Sequence, residues 1–232
     1  MSREQEARLY ARVSIFKRRI EEARAVVARA FETAPRWYVA LSGGKDSTCA
    51  LALAREVCPD TPAVFSDDEW WLPETEEYTR RLSGLHWIRT NARHTSWFST
   101  KGDFDGIPDY AQRQGFEGCF LGLRKDENSY RRVHLNTRGL LYFCQRDEVW
   151  HCNPIANWTA RDVWAFIHSN EIDYNRAYDR LEEIGIPLDE QRIGPFAVER
   201  AIGYGQLATL KRGWPDLFNR FALAHPEARN YA

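Results

Sequence analysis

The sequence predicts an α/β protein: a mainly parallel sheet with helices on both faces, a long N-terminal helix and a helical C-terminal extension. Three observations predict it. Strand-like and helix-like patterns alternate from Trp37 to Leu123, the order that builds parallel sheets. A glycine pair, Gly43-Gly44, joins the apolar run Trp37-Tyr38-Val39-Ala40-Leu41 to a helical run, Thr48-Cys49-Ala50-Leu51-Ala52-Leu53-Ala54. Charged or phosphate-seeking residues follow three of the strands, where ligands of such sheets bind.

Taken in order, Leu9, Val13, Phe16, Ile20, Ala23 and Val27 recur at steps of 4, 3, 4, 3 and 4. This stripe predicts one helix from about Arg3 to Phe31 that packs on the sheet, with a dimer helix as the alternative. Pro35 separates it from the first strand, at 37–41. A second strand, Ala63-Val64-Phe65-Ser66, ends in Asp67-Asp68, and a helix is expected from Glu74 to Leu82 behind Pro73. Leu85-His86-Trp87-Ile88-Arg89 and Cys119-Phe120-Leu121-Gly122-Leu123 read as further strands, the last followed by Arg124. The stretch from Trp97 to Glu117 has no clean period and is expected to be a long loop near the site. After Asn153 the chain reads as helical, and Thr159 with Asp162 forms a capping-box start that makes Asp162 structural. The expected organisation is an N-terminal helix (1–34), an α/β core that holds the glycine-pair turn (35–155) and a helical extension of the same domain (156–232).

Composition narrows the function classes. With 32 Lys and Arg against 33 Asp and Glu, the net charge of −1 gives no global basic signal for nucleic acid. Arg124, Lys125, Arg131, Arg132 and Arg138 nevertheless cluster and suit a local polyanion site. No apolar run is long enough to cross a membrane and none reads as a secretion segment, so a cytoplasmic protein is expected. The five cysteines, Cys49, Cys58, Cys119, Cys144 and Cys152, contain no Cys-x-x-Cys pair, which argues against a disulfide framework or zinc ribbon. Cys49 and Cys119 read as small core residues. Cys144 and Cys152 match no common iron–sulfur spacing, and no cluster is expected.

The most informative segment is Ser42-Gly43-Gly44-Lys45-Asp46-Ser47. Glycines let the backbone approach an anion, and the helix that follows offers unpaired N–H groups and the positive end of its dipole. Lys45 adds a charge, and Ser42 and Ser47 add hydroxyl donors. The segment is not the usual P-loop, which needs four residues between its first glycine and the Gly-Lys pair.

This string resembles the pyrophosphate loop of the ATP pyrophosphatases, or adenine nucleotide alpha hydrolases, which split ATP between its α and β phosphates. Three further motifs follow: Asp67-Asp68 with Leu72-Pro73-Glu74-Thr75, then Gly122-Leu123-Arg124 with Glu127 and Arg131, then Pro154-Ile155 with Trp158-Thr159 and Asp162-Val163-Trp164. Their order, over roughly 37–196, is similar to that of the phosphoadenosine phosphosulfate (PAPS) reductase family, which includes the small subunit of bacterial ATP sulfurylase. The resemblance implies a five-stranded Rossmann-like sheet. It implies that Ser42, Gly43, Gly44, Lys45, Asp46 and Ser47 bind nucleotide phosphates, that Asp67 lies near the nucleotide, and that Gly122 and Leu123 flank the adenine. Arg124 would reach phosphate, Arg131 and Arg192 a second substrate, and Lys45, Asp46 and Arg124 would carry the chemistry. Arg131 pairing with Glu127 at i, i+4 is the equal alternative. Asp46 and Asp67 are candidate Mg²⁺ ligands beside ATP.

One departure decides the expected reaction. Reductases of the family carry a nucleophilic cysteine near the C-terminus, whereas residues 153–232 contain none, and Pro195 stands where relatives place a cysteine. Without that thiol an enzyme-bound S-sulfocysteine is not available. The expectation is therefore an enzyme cleaving ATP between α and β phosphates, by adenylyl transfer or hydrolysis. Its acceptor is open, sulfate or nucleic acid, and a homodimer or partner subunit is allowed. The alternatives are an accessory factor in nucleic-acid sulfur modification or in phage or CRISPR-type defence, and a non-catalytic nucleotide-binding module.

Overall fold

The computed structural model describes residues 2–67, 70–89, 106–194 and 205–232. The first strand, β1 (Trp37–Leu41), is buried along both faces, as central strands of parallel sheets are. β2 (Ala63–Asp67) and β3 (Leu85–Arg89) lie on one side of it, and β4 (Gly118–Phe120) on the other. β5 (Leu141–Cys144) and β6 (Val149–Cys152) complete a six-stranded sheet of order β3-β2-β1-β4-β6-β5. Every neighbouring pair is parallel except β5 with β6. The sheet thus has one strand more than the five the resemblance implies. The addition is the antiparallel edge strand β5, whose short alternating sequence carries no strong strand signal.

The order runs outward from β1 in both directions, so the switch point falls between β1 and β4. A crevice opens at the carboxyl ends of strands at such a point. Leu41 is level with Phe65, and Val39 with Phe120. The segments starting at Ser42, Asp67 and Leu121 therefore leave the sheet at the same edge.

Alternation along the strands feeds two cores. Trp37, Val39, Leu41, Phe65 and Phe120 face the larger, which continues through α2 (Ser14–Thr33), α3 (Lys45–Val57) and α7 (Ala160–Ser169) to Ala228. Tyr38, Val64, Cys119 and Val149 face the smaller. Ala111 of α5 (Ile107–Arg113) belongs to it, with Ile107 and Tyr110 packed alongside. α5 replaces part of the loop expected over 97–117: Pro108 sits in its first turn and Asp109 reaches back to the Gly106 amide at 3.1 Å. Residues 90–105 of that stretch lie outside the described residues.

The single N-terminal helix is two. α1 (Arg3–Tyr10) stops at Ala11, and Val13, with extended backbone, precedes α2. Leu9 and Val13 are exposed, whereas Phe16, Ile20, Ala23 and Val27 are buried. The break has a physical reason. It turns α1 away from the line of α2 and onto the C-terminal half, where Arg3 stacks 4.0 Å from the Trp164 ring, bonds the Tyr174 hydroxyl at 3.2 Å and pairs with Asp179. The apolar stripe of α2 packs inside the chain, as the first of the two readings expects.

Among the described residues the other α-helices are α4 (Pro73–Arg81), α6 (Ser129–Arg138), α8 (Ala177–Glu183), α9 (Gln206–Gly213) and α10 (Pro215–Ala224). Among the described residues no helix is long and apolar enough to cross a membrane. The capping box at Thr159 forms as its sequence predicts. Asp162 Oδ2 accepts from the Thr159 amide and hydroxyl, both at 2.7 Å, while Tyr10 donates to Oδ1 at 3.1 Å and Arg19 pairs with the same carboxylate. Asp162→Ala is expected to cost about 1–3 kcal/mol in urea unfolding, the range for a lost cap with buried partners left unmade. Nucleotide affinity is expected to stay unchanged.

Candidate functional site

The turn after β1 is built for close approach. Gly43 has φ of +71°, and a Cβ there would lie 2.7 Å from Thr75 Cγ2, so the position takes glycine on two counts. Gly44 is the N-cap of α3. Its carbonyl accepts from the Ser47 hydroxyl, the Thr48 hydroxyl and the Thr48 amide at 3.0, 3.0 and 3.1 Å. Ser42 folds back, its amide donating to Ser47 Oγ at 3.2 Å and its own Oγ accepting from the Gly44 amide at 3.4 Å. The outcome is a tight loop ending in the amino end of a 13-residue helix, where N–H groups and dipole favour an anion.

Across the switch point, the backbone leaving β4 is pressed against this turn. A Cβ on Gly122 would stand 2.6 Å from both the Asp46 carbonyl carbon and the Ser47 nitrogen. No side chain fits there. Two residues later Arg124, almost fully buried, donates Nε–H to Asp46 Oδ1 at 2.6 Å. Lys45 Nζ lies 3.4 Å from Asp46 Oδ2, donates to the Gln191 carbonyl at 3.0 Å and stands 5.1 Å over the Tyr178 ring.

Burial alone would raise the Asp46 carboxyl, but Lys45 and Arg124 outweigh it and hold Asp46 below the usual carboxylate range. Burial lowers the Lys45 ammonium, with Asp46 partly offsetting the effect. Burial also disfavours the Arg124 charge, and Asp46 and Glu127 more than restore it. The three form one charged unit, to which Asp126 adds a contact 3.5 Å from the Arg124 guanidinium.

Glu127 organises the remaining arginines. It accepts from the Arg124 amide at 3.0 Å, pairs with Arg131 through its side chain, and its carbonyl accepts from Arg192 at 3.1 Å. The i, i+4 alternative for Arg131 is thus the pairing observed. Arg192 also lines a cavity of about 220 Å³ with Leu72, Leu181, Ile193 and Trp214. Arg131 and Arg192 both reach Glu127, Arg192 also standing 3.9 Å from its carboxylate, although they lie far apart in sequence. The rest of the basic cluster divides. Arg132 and Lys125 turn to an outer cleft shared with Arg18 and Arg19, and Arg138 stands over Tyr142.

Asp67 ends β2, next to β1, and is half-buried; Asp68 lies outside the described residues, as does Pro195. Leu123 follows Gly122 and is half-buried. The observed role of Gly122 is its contact with the loop backbone, and adenine contacts of Gly122 and Leu123 stay proposals. A Mg²⁺ ligand set is a poor fit at Asp46, because both of its oxygens already carry cationic partners.

Reasoning from sequence missed four residues that shape the loop. Asn175 donates Nδ2–H to the Gly43 carbonyl at 3.0 Å and to Thr75 Oγ1 at 2.8 Å. Tyr178 accepts from the Lys45 amide at 3.0 Å, and Gln191 holds the lysine head. Thr75 lies in the Leu72–Thr75 motif, whereas Asn175, Tyr178 and Gln191 lie outside the motifs named above.

The same fold and motif order occur elsewhere. The model of the phosphoadenosine phosphosulfate reductase domain matches residues 36–96 and 107–194. The chain belongs to that family. It is 26% identical over 194 residues to an uncharacterized protein of Methanocaldococcus jannaschii, covering 78% of this chain and 45% of that one. The phosphoadenosine 5'-phosphosulfate reductase of Xylella fastidiosa is 27% identical over 161 residues, covering 60% and 65%. Sulfate adenylyltransferase subunit 2 of Shigella dysenteriae is 27% identical over 173 residues, covering 56% of each. The chain thus spans 45% to 65% of the length of these relatives. In fold it is similar to the PAPS reductase of Candida auris solved as a phosphate complex, with a TM-score of 0.59 at 18% identity over 75% of this chain and 88% of that one. The PAPS reductase family thus includes a member whose loop at 42–47 meets Arg124 across the switch point.

Proposed function

We propose that this member of the family is an enzyme that binds ATP and cleaves it between the α and β phosphates, passing adenylate to an acceptor or to water. The observation that carries the reading is the charged unit Lys45–Asp46–Arg124, assembled where the glycine loop and the post-β4 segment meet. A loop of this shape takes the β and γ phosphates on its backbone N–H groups, and Lys45 turns from the Gln191 carbonyl to the leaving pyrophosphate. Asp46 keeps Arg124 oriented toward the α phosphate, so that charge developing in the transition state meets fixed donors. Magnesium in this reading is held through ATP's own phosphates, with Asp67, at the carboxyl end of β2, as the candidate protein ligand.

Sulfonucleotide reduction is the weaker reading for this chain. Residues 153–232 hold no cysteine. Burial pushes the thiols of Cys49 and Cys152 up and that of Cys119 to about 12, which makes poor nucleophiles of them. An oxyanion acceptor such as sulfate would meet Arg192, which lines the cavity beside the loop, and Arg131, which shares Glu127 with it; the likeness to an adenylyltransferase subunit adds support. Nucleic acid as acceptor would instead use the outer basic cleft. A partner subunit and a cytoplasmic setting, where ATP is abundant, belong to the same proposal.

Lys45→Ala is expected to weaken ATP binding by about 1.5–3 kcal/mol, the range for hydrogen bonds to charged groups, or roughly tenfold to 150-fold in Kd. Titration calorimetry reads this directly. Unchanged affinity would remove the loop from the phosphate site.

A further inference from the structure

The hairpin of β5 and β6 carries a group of side chains that the nucleotide site does not use. Cys144 Sγ lies 3.4 Å from Asp147 Oδ2, and His151 Nε2 lies 3.2 Å from the same oxygen. All three ligand atoms fall within 4.8 Å of one another. Tetrahedral zinc with sulfur at about 2.3 Å and nitrogen or oxygen at about 2.0–2.2 Å has ligand–ligand edges of roughly 3.3–3.6 Å. The two closest edges of the cluster already match that spacing.

The surroundings favour a ligand set over an incidental contact. His151 Nδ1 is 3.3 Å from the Tyr142 hydroxyl, which is 3.0 Å from His134 Nε2. A proton on Nδ1 shared with Tyr142 leaves Nε2 with its lone pair facing Cys144 and Asp147, the arrangement by which outer partners orient a metal-binding histidine. Asp147 and His151 are mostly buried and Cys144 is half-buried. Arg146 covers Asp147 through contacts of 2.8 and 3.2 Å, but its side chain is 85% exposed. Such a surface pair is weak and readily exchanged.

We propose that Cys144, Asp147 and His151 form a three-ligand site for a divalent ion of zinc type, with Arg146 swinging away and water completing the tetrahedron. Sulfur, imidazole nitrogen and carboxylate oxygen together select zinc over magnesium or calcium. Cys144 is level with Val149, at the start of β6. β6 runs parallel to β4, and β4 to β1, so the cluster sits toward the amino edge of the sheet. The glycine loop is at the carboxyl edge. The ion would act as a clasp on the antiparallel hairpin, separate from nucleotide chemistry.

The test uses tag-free, reduced protein stripped of metal and titrated with Co²⁺, then with Zn²⁺ in competition. The expected result is one equivalent bound, with a thiolate-to-cobalt charge-transfer band that zinc removes and a Tm that rises with metal. Cys144→Ser and His151→Ala are expected to lose the band and the rise in Tm, Tyr142→Phe to bind about 10–100-fold more weakly, and Cys58→Ser to behave as the parent. Circular dichroism and ATP affinity check that each variant is folded. Absence of the band in the parent protein, or equal binding in folded Cys144→Ser and His151→Ala, would overturn the site.

Discussion

Arg124→Ala is expected to lower stability by about 3–5 kcal/mol, the cost of leaving a buried charge without its partner. Arg124 and Asp46 have side chains only 4% and 16% exposed and meet at 2.6 Å. Lys45 still faces Asp46 at 3.4 Å, which places the loss nearer the lower figure. Arg124→Lys keeps the charge but loses the planar fork and should fall between parent and alanine variant. The acid limb moves with it. A carboxylate whose folded pKa is depressed contributes stability that is fully present above its unfolded value, about 3.9, and is lost as pH falls through the folded one. Removing Arg124 reduces that depression of Asp46, so below about pH 3.9 the variant should lose less further stability than the parent does. Urea unfolding at pH 7 and at stepped acid pH reads both effects, and a loss under 1 kcal/mol at pH 7 would show the pair to be solvated in solution.

Gly122→Ala is the second large effect. Its Cβ meets backbone rather than a movable side chain, at 2.6 Å from two atoms of the Asp46–Ser47 peptide, so the loop or the β4 segment has to shift. Forcing atoms into a filled space costs about 1–3 kcal/mol. The shift separates Asp46 from Arg124 as well, and ATP affinity is expected to fall by at least tenfold. By contrast, a Cβ on Gly194 meets nothing within 4 Å among the described residues, and Gly194→Ala is the matched control. Equal ATP affinity in the two variants would mean that the two strand-end segments do not have to touch for binding.

Much of this site is legible in the sequence because its parts are local. Glycines, a lysine and a helix start within six residues specify the strand–turn–helix loop with no tertiary information. Parallel strands advertise themselves by continuous burial, as in Trp37–Leu41. β5 and β6 were missed because Leu141–Cys144 is an edge strand only partly buried, and its pattern is diluted by the turn. The long N-terminal stripe misled for a different reason: period alone does not see that Arg3 gains more by docking on Trp164 and Asp179 than by extending α2. Asn175, Tyr178 and Gln191 were invisible as site residues, since they reach the loop from more than 130 positions away in the case of Asn175 and Tyr178. The Glu127 hub was half visible. Its pairing with Arg131 follows helical spacing, but the arrival of Arg192 is purely tertiary.

The account rests on cleavage between the α and β phosphates, and one measurement addresses it most directly. Purified protein is incubated with Mg²⁺ and ATP labelled at the α phosphate, alone and with sulfate, DNA or RNA, and the products are resolved. The account predicts labelled AMP or an adenylated acceptor together with pyrophosphate, lost in Lys45→Ala and stimulated by the true acceptor. Labelled ADP as the product, or intact ATP under every condition despite tight binding, would contradict it.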